Sequence, residues 1–90
     1  MPLFALICTD KPGSAAIRAE NRPAHLDYLK GSDAVRMAGP FLQGEAMTGS
    51  LVVIEVDTRA EAEAWAAADP YARAGLFADV RIEEWKKVIG

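Results

Sequence analysis

One histidine occurs in this sequence, His25. Imidazole is the side chain whose ordinary pKa, about 6.5, allows proton exchange near neutrality, so any general acid–base chemistry centres on it. A carboxylate bonded to one ring nitrogen would orient the ring, raise its basicity and leave the other nitrogen for a substrate. Asp69 is the carboxylate in the right kind of place. It ends an alanine-rich helical segment and precedes Pro70, which restrains the chain just beyond it. Each residue also has an ordinary reading: His25 as a packed helix histidine, Asp69 as a backbone cap or turn former.

Five further residues could touch a ligand. Arg22 lies three residues before His25; a guanidinium grips an anionic oxygen pair with two parallel bonds, or is simply a solvated charge. Ser50 follows Gly49 at a strand start, where its hydroxyl could bond a ligand or local backbone. Tyr71 offers a ring and a hydroxyl, or ordinary packing. Gly39-Pro40 brings backbone close to whatever lies above the sheet, or merely bends a strand.

Other chemistries lack support. One His and one Cys cannot build the usual zinc sites, and no carboxylate loop of a calcium or magnesium type is present. No phosphate-binding glycine loop or nucleophile elbow occurs. The net charge of −3, with no basic stripe interleaved with aromatics, argues against a nucleic-acid partner. Cys8 sits in an apolar run and reads as a small core residue; a lone cysteine forms no intrachain disulfide. The apolar run Leu3–Cys8 is far below the ~20 residues that span a bilayer, and no signal-peptide pattern opens the chain. The expectation is a cytoplasmic protein with no membrane association.

Ninety residues suit a single domain over 1–90. Hydrophobic residues at 51% against 26% charged exclude a disordered chain. Pro2–Thr9 reads as a strand with apolar side chains on both faces, followed by the turn residues Asp10–Gly13. Ser14 to about Gly31 reads as a helix with Ser14 as its cap and a kink, or a fresh helical start, at Pro23. On it Arg22, His25, Leu26 and Leu29 share one broad face. Ala34–Leu42 is a second strand, interrupted by Gly39-Pro40, so that it is an edge strand or bends there, and Gln43–Gly49 reads as a hairpin loop. Ser50–Val56 is the clearest strand. Thr58 and Glu61 then form a capping box opening a helix to about Ala68 that buries Ala62, Trp65 and Ala66. Tyr71–Phe77 is a short helical turn or loop, and Ala78–Lys87 the last strand.

The order is βαββαβ, which predicts an α+β, ferredoxin-like domain: a four-stranded antiparallel sheet with both helices on one face. The first and third strands are apolar on both faces, so the open sheet face should be covered, most economically by a second copy.

The ordered set Arg22-Pro-Ala-His25-Leu-Asp-Tyr-Leu29, Ala38-Gly39-Pro40, Gly49-Ser50, Asp69-Pro70-Tyr71 and Ala74-Gly75-Leu76 resembles the YCII-related (YciI-like) proteins along nearly the whole chain. The resemblance implies a homodimeric α+β barrel built of ferredoxin-like halves. It also implies an active site containing His25 with an acidic partner, placed here at Asp69, and acid–base chemistry on small, often cyclic, organic molecules. The expected function is therefore a cofactor-independent enzyme of lyase, isomerase or dehydrohalogenase type, with Arg22, Ser50, Gly39, Pro40 and Tyr71 around the substrate. The alternative is a non-catalytic binding or accessory dimer module using the same pocket.

Overall fold

The two-faced apolar segment at the start of the chain becomes β1 (Leu3–Asp10), a central strand in the computed structural model, which describes residues 2–90. It is followed by α1 (Ala15–Lys30), β2 (Val35–Gln43), β3 (Ala46–Glu55), α2 (Arg59–Ala68), the single turn α3 (Pro70–Arg73) and β4 (Phe77–Trp85). All strand pairs are antiparallel, in the order β2-β3-β1-β4. This is the α+β, ferredoxin-like architecture the sequence predicts. β2, which contains Pro40, lies at an edge, where a missing backbone donor costs no ladder bond.

Alternation decides which side chains form the core. Phe4, Leu6 and Cys8 of β1, Val52 and Ile54 of β3 and Ile82 of β4 project to one face. Ala62 of α2 seats directly on them, with Leu29 of α1 and Trp65 and Ala66 of α2 packed around the cluster. Leu6 is 1% exposed and Ile54 0%; truncating such a residue to alanine typically costs about 2–5 kcal/mol. The helices clamp each other at the far end, where the Tyr28 hydroxyl donates to the Trp65 carbonyl (2.8 Å) and the Trp65 ring N–H donates to Ser32 Oγ (3.0 Å).

Four local expectations need correction. First, α1 runs through Pro23 as one helix, so the chain makes no fresh helical start there. Pro23 and Ala19 both lie on its exposed side, so the Ala19 carbonyl that proline deprives of a donor is open to water. Second, the Ser14 side chain makes no capping bond; its hydroxyl donates to the Lys11 carbonyl and shapes the preceding turn. Third, most of Gln43–Gly49 is strand, not loop. The register reaches Gln43 opposite Ala46, so Gly44 and Glu45 alone make the turn, with Gly44 at φ +62° as a glycine-first two-residue hairpin requires. Fourth, β4 begins at Phe77 and ends at Trp85, and its Val80 stays 37% exposed.

A register shift between Phe41 and Leu42 brings Leu42 opposite Met47. Such a bulge re-aims side chains, and Met47 joins the helix side of the sheet. Gly49 has a stricter constraint: a Cβ there would collide with the Cys8 carbonyl oxygen. Among the described residues no helix is long and apolar enough to cross a membrane.

Candidate functional site

α1 carries Arg18, Arg22 and His25 at intervals of four and three, which puts all three on one helical face. That face overlooks the strands of β2 and β3, and the gap between them is a cavity of about 190 Å³. A void of this size holds one small ring. Arg18, Arg22, His25, Ser50 and Tyr71 line it, closed by the Gly39-Pro40 corner of β2.

His25 is 6% exposed and Asp69 3%. Asp69 Oδ1 lies 2.8 Å from His25 Nδ1 and also accepts the Tyr71 backbone N–H at 2.9 Å. The two readings of Asp69 therefore hold together: one oxygen caps α3 and meets the imidazole. The residue has extended φ −60°, ψ 129°, as a position before proline prefers, and Pro70 opens α3 where a proline is best tolerated. An ionised carboxylate only accepts, so Nδ1 carries the proton in this pairing. Nε2 has no hydrogen-bond partner among the described residues and is the ring atom left to the cavity that His25 lines.

Tyr71 is only 1% exposed, and its ring stacks on the imidazole at 3.9 Å with 16° between planes. The Arg18 guanidinium lies over the same ring at 4.7 Å, and Phe77 meets its edge at 6.0 Å. Tyr71 is thus chiefly a packing wall that holds His25 flat. Burial raises its hydroxyl pKa above the usual 10.0, with Arg18 and Arg22 pulling the other way.

Arg18 and Asp10 also belong to the site, although neither stands out in the sequence as a site residue and Asp10 reads there as part of a turn. Arg18 Nε and Nη2 donate to Asp10 Oδ2 and Oδ1 at 2.7 and 2.9 Å, and Nη2 also reaches Ser50 Oγ at 3.0 Å. The hydrogen bond to Asp10 raises its pKa still further, so it stays charged. The available signal was periodicity: Arg18 stands one turn before Arg22 on the His25 face. Arg22 itself is exposed at the cavity rim, while Ser50 is 3% exposed on its floor. Gly39 and Pro40 are exposed at the rim and line a second groove on the opposite sheet face as well. Cys8 is buried; burial, with the Asp69 and Asp10 carboxylates nearby, pushes its thiol up to about 12. No group of three or more His, Cys, Asp or Glu able to hold a metal occurs among the described residues.

Residues 2–86 match the YCII-related domain. The chain is 34% identical to Protein YciI of Escherichia coli O6:H1 over 96 aligned positions, covering 96% of this chain and 98% of that one. Among solved structures it is similar to 5-chloro-2-hydroxyhydroquinone dehydrochlorinase (TftG) of Burkholderia phenoliruptrix AC1100 in complex with 2,5-dihydroxybenzoquinone, with TM-score 0.87, 35% identity and 93% of each chain covered. Rv0793 of Mycobacterium tuberculosis shares the fold at TM-score 0.62 but only 10% identity, over 100% of this chain and 98% of the other.

Proposed function

The chain belongs to the YCII-related family, and from that premise we propose that it is a cofactor-independent acid–base enzyme acting on a small, ring-shaped organic molecule. The observation that carries this reading is the buried contact of His25 Nδ1 with Asp69 Oδ1, 2.8 Å long, on the wall of a one-ring cavity. With Nδ1–H held by the carboxylate, Nε2 presents a lone pair to the cavity and acts as the proton acceptor. The protonated ring that results is stabilised by Asp69 and returns the proton to another atom of the substrate or to water. Proton removal of this kind serves a lyase, an isomerase or a dehydrohalogenase. The likeness to a dehydrochlorinase at 35% identity supports that group of reactions.

Ser50, Arg22, Tyr71 and the Gly39-Pro40 corner form the substrate surround in this reading, with Tyr71 fixing the imidazole plane. The working unit is a single 1–90 domain paired with a second copy through the open sheet face, in the cytoplasm. The burial of His25 counts against a purely non-catalytic binding module, since such a module gains nothing from an oriented, partly desolvated base.

A thermal-shift screen of small hydroxylated ring compounds tests the proposal, because a ligand of the folded state raises Tm by mass action. Hits are then assayed for turnover with the wild type and with His25→Ala. The expected result is a loss of about 10²–10⁴-fold in rate, the usual contribution of a general acid or base. Full turnover by His25→Ala would exclude the proposed chemistry.

A further inference from the structure

Building on the cavity as the substrate site, we propose that Met47 sets the size of the ring this protein accepts. It closes the end of the cavity that lies away from His25 and shuts off a second pocket behind it.

Two voids meet at this residue. Met47 lines the cavity of about 190 Å³ beside His25 and also a pocket of about 230 Å³, and it is the one described residue that lines both. The second pocket is bounded by the turn 10–13, by Ser14 and Ala15 where α1 begins, and by Thr48. One side chain therefore stands between the two spaces.

The backbone puts it there. Ser50 faces the cavity, and strict alternation from it would turn Met47 to the opposite sheet face. The register shift pairs Phe41 with Gly49 and Leu42 with Met47, which leaves Thr48 without a partner of its own. That extra residue turns Met47 back to the helix side.

The direction of the chain says which end is closed. α1 and β3 run the same way over the cavity: Ala15 and Met47 line the second pocket, while Leu29 and Val52 line the cavity. His25 stands ten residues after Ala15, about 15 Å along the helix at 1.5 Å per residue. Met47 thus meets the edge of a bound ring that is remote from the imidazole.

The lining of the second pocket says what Met47 keeps out. Both Asp10 oxygens accept from Arg18, and the Ser14 hydroxyl donates to the Lys11 carbonyl. The Lys11 ammonium lies 3.7 Å from where a Gly75 Cβ would stand, and Gly75 is not in the lining. What remains is room with its charges engaged elsewhere, suited to an uncharged extension such as a second, fused ring. Met47 is 37% exposed and stands outside the core cluster, so truncating it removes the partition at little cost to the fold.

Calorimetry with 2,5-dihydroxybenzoquinone and 2-hydroxy-1,4-naphthoquinone compares one ring with two. The wild type is expected to bind the single ring at least about tenfold more tightly, because extra atoms forced into a filled space are costly. Met47→Ala removes Cγ, Sδ and Cε and is expected to bring the two affinities within about threefold of each other. Met47→Leu, of similar volume, is expected to keep the wild-type preference. A general loosening of the structure would weaken both probes together, so the ratio reports the partition and a thermal melt reports folding. Should Met47→Ala fail to fold, Met47→Val takes its place, with a smaller change of the same sign.

Equal binding of both quinones by the wild type would show that the methionine merely swings aside, and would overturn its role. So would a ratio that Met47→Ala leaves unchanged, and in either case the cavity remains the ring site. Binding of neither quinone, by the wild type or by Met47→Ala, up to millimolar concentration would remove the cavity as the substrate site and the role of Met47 with it.

Discussion

His25, Asp69 and Cys8 are all buried, the first two in contact at the cavity and Cys8 in the hydrophobic core, and their surroundings assign them different chemistry. Asp69 has two donors on one oxygen, the imidazole and the Tyr71 amide. Asp69→Asn can keep the shared oxygen as an acceptor for both donors, but it removes the negative charge that raises the basicity of the imidazole and stabilises its protonated form. The expected outcome is a rate loss of about 10²–10⁴-fold with the fold retained, read from turnover of an identified substrate beside a thermal melt. Cys8 is the opposite case, a thiol kept neutral. Its pKa rises from 9.0 to about 12 because burial and nearby carboxylates disfavour the thiolate. In the unfolded chain the thiol ionises at its ordinary pKa, so between roughly pH 9 and 12 the unfolded state binds fewer protons and stability falls as pH rises. Below pH 9 that contribution is fully present. Folded protein is therefore expected to resist iodoacetamide at pH 9, as followed by intact mass, and its Tm is expected to fall through the alkaline range. Rapid alkylation without unfolding would show that Cys8 is accessible.

The elements hold these side chains through a few short-range devices. Thr58 Oγ1 accepts the Glu61 amide at 3.2 Å, and Glu61 Oε2 accepts the Asp57 amide at 3.1 Å, one residue earlier than a standard capping box returns. Thr58→Ala is expected to lower stability by about 0.5–2 kcal/mol, measured by urea titration. The same substitution leaves α3 and Asp69 untouched, so a large loss of activity from it would mean that α2 positions the site more tightly than its contacts indicate. Gly49 is less forgiving. Its Cβ position is occupied by the Cys8 carbonyl, and the next residue is Ser50 on the cavity floor. Gly49→Ala is expected to cost at least about 1–3 kcal/mol, the range for overpacking, and to disturb ligand binding as well. Wild-type stability in that variant would contradict the close approach.

At the scale of the whole molecule, the helices cover one sheet face and leave the other. There Ala5 and Ile7 of β1 stand beside Val53 and Leu51 of β3, and Met37 and Phe41 of β2 extend the apolar stripe at 49% and 40% exposure. Trp85 ends it on β4 at 41%, while Arg81 and Glu83 border it there. A second copy packed on this stripe is the proposed cover, and a stable interface of that kind buries upwards of about 1,200 Å². Sedimentation of the wild type is expected to give a dimer mass at micromolar concentration, and Leu51→Arg to shift it toward monomer by placing a charge mid-stripe. A wild-type monomer would remove this proposal and leave the family reading of the fold intact.

Element type and order were legible in the chain because both depend on local pattern. Short apolar runs marked β1 and β3, the Thr58–Glu61 box opened α2, and Pro40 pointed to an edge or a bend. Where local signals misled, neighbours supplied the difference. Pro23 stays within a helix because its side faces water, and the polar stretch before Ser50 is strand because Gly44 turns the chain in two residues. His25 and Asp69 could be singled out by residue type and by the order of motifs around them. Their contact spans 44 positions, and only the seating of both helices on one sheet face brings them to 2.8 Å. Arg18 was harder to find. Its meaning comes from Asp10, 8 positions away, and Ser50, 32 away. No spacing rule links a strand end, a helix turn and a second strand; sheet register does, by setting Ser50 opposite Cys8 and Asp10 just beyond it.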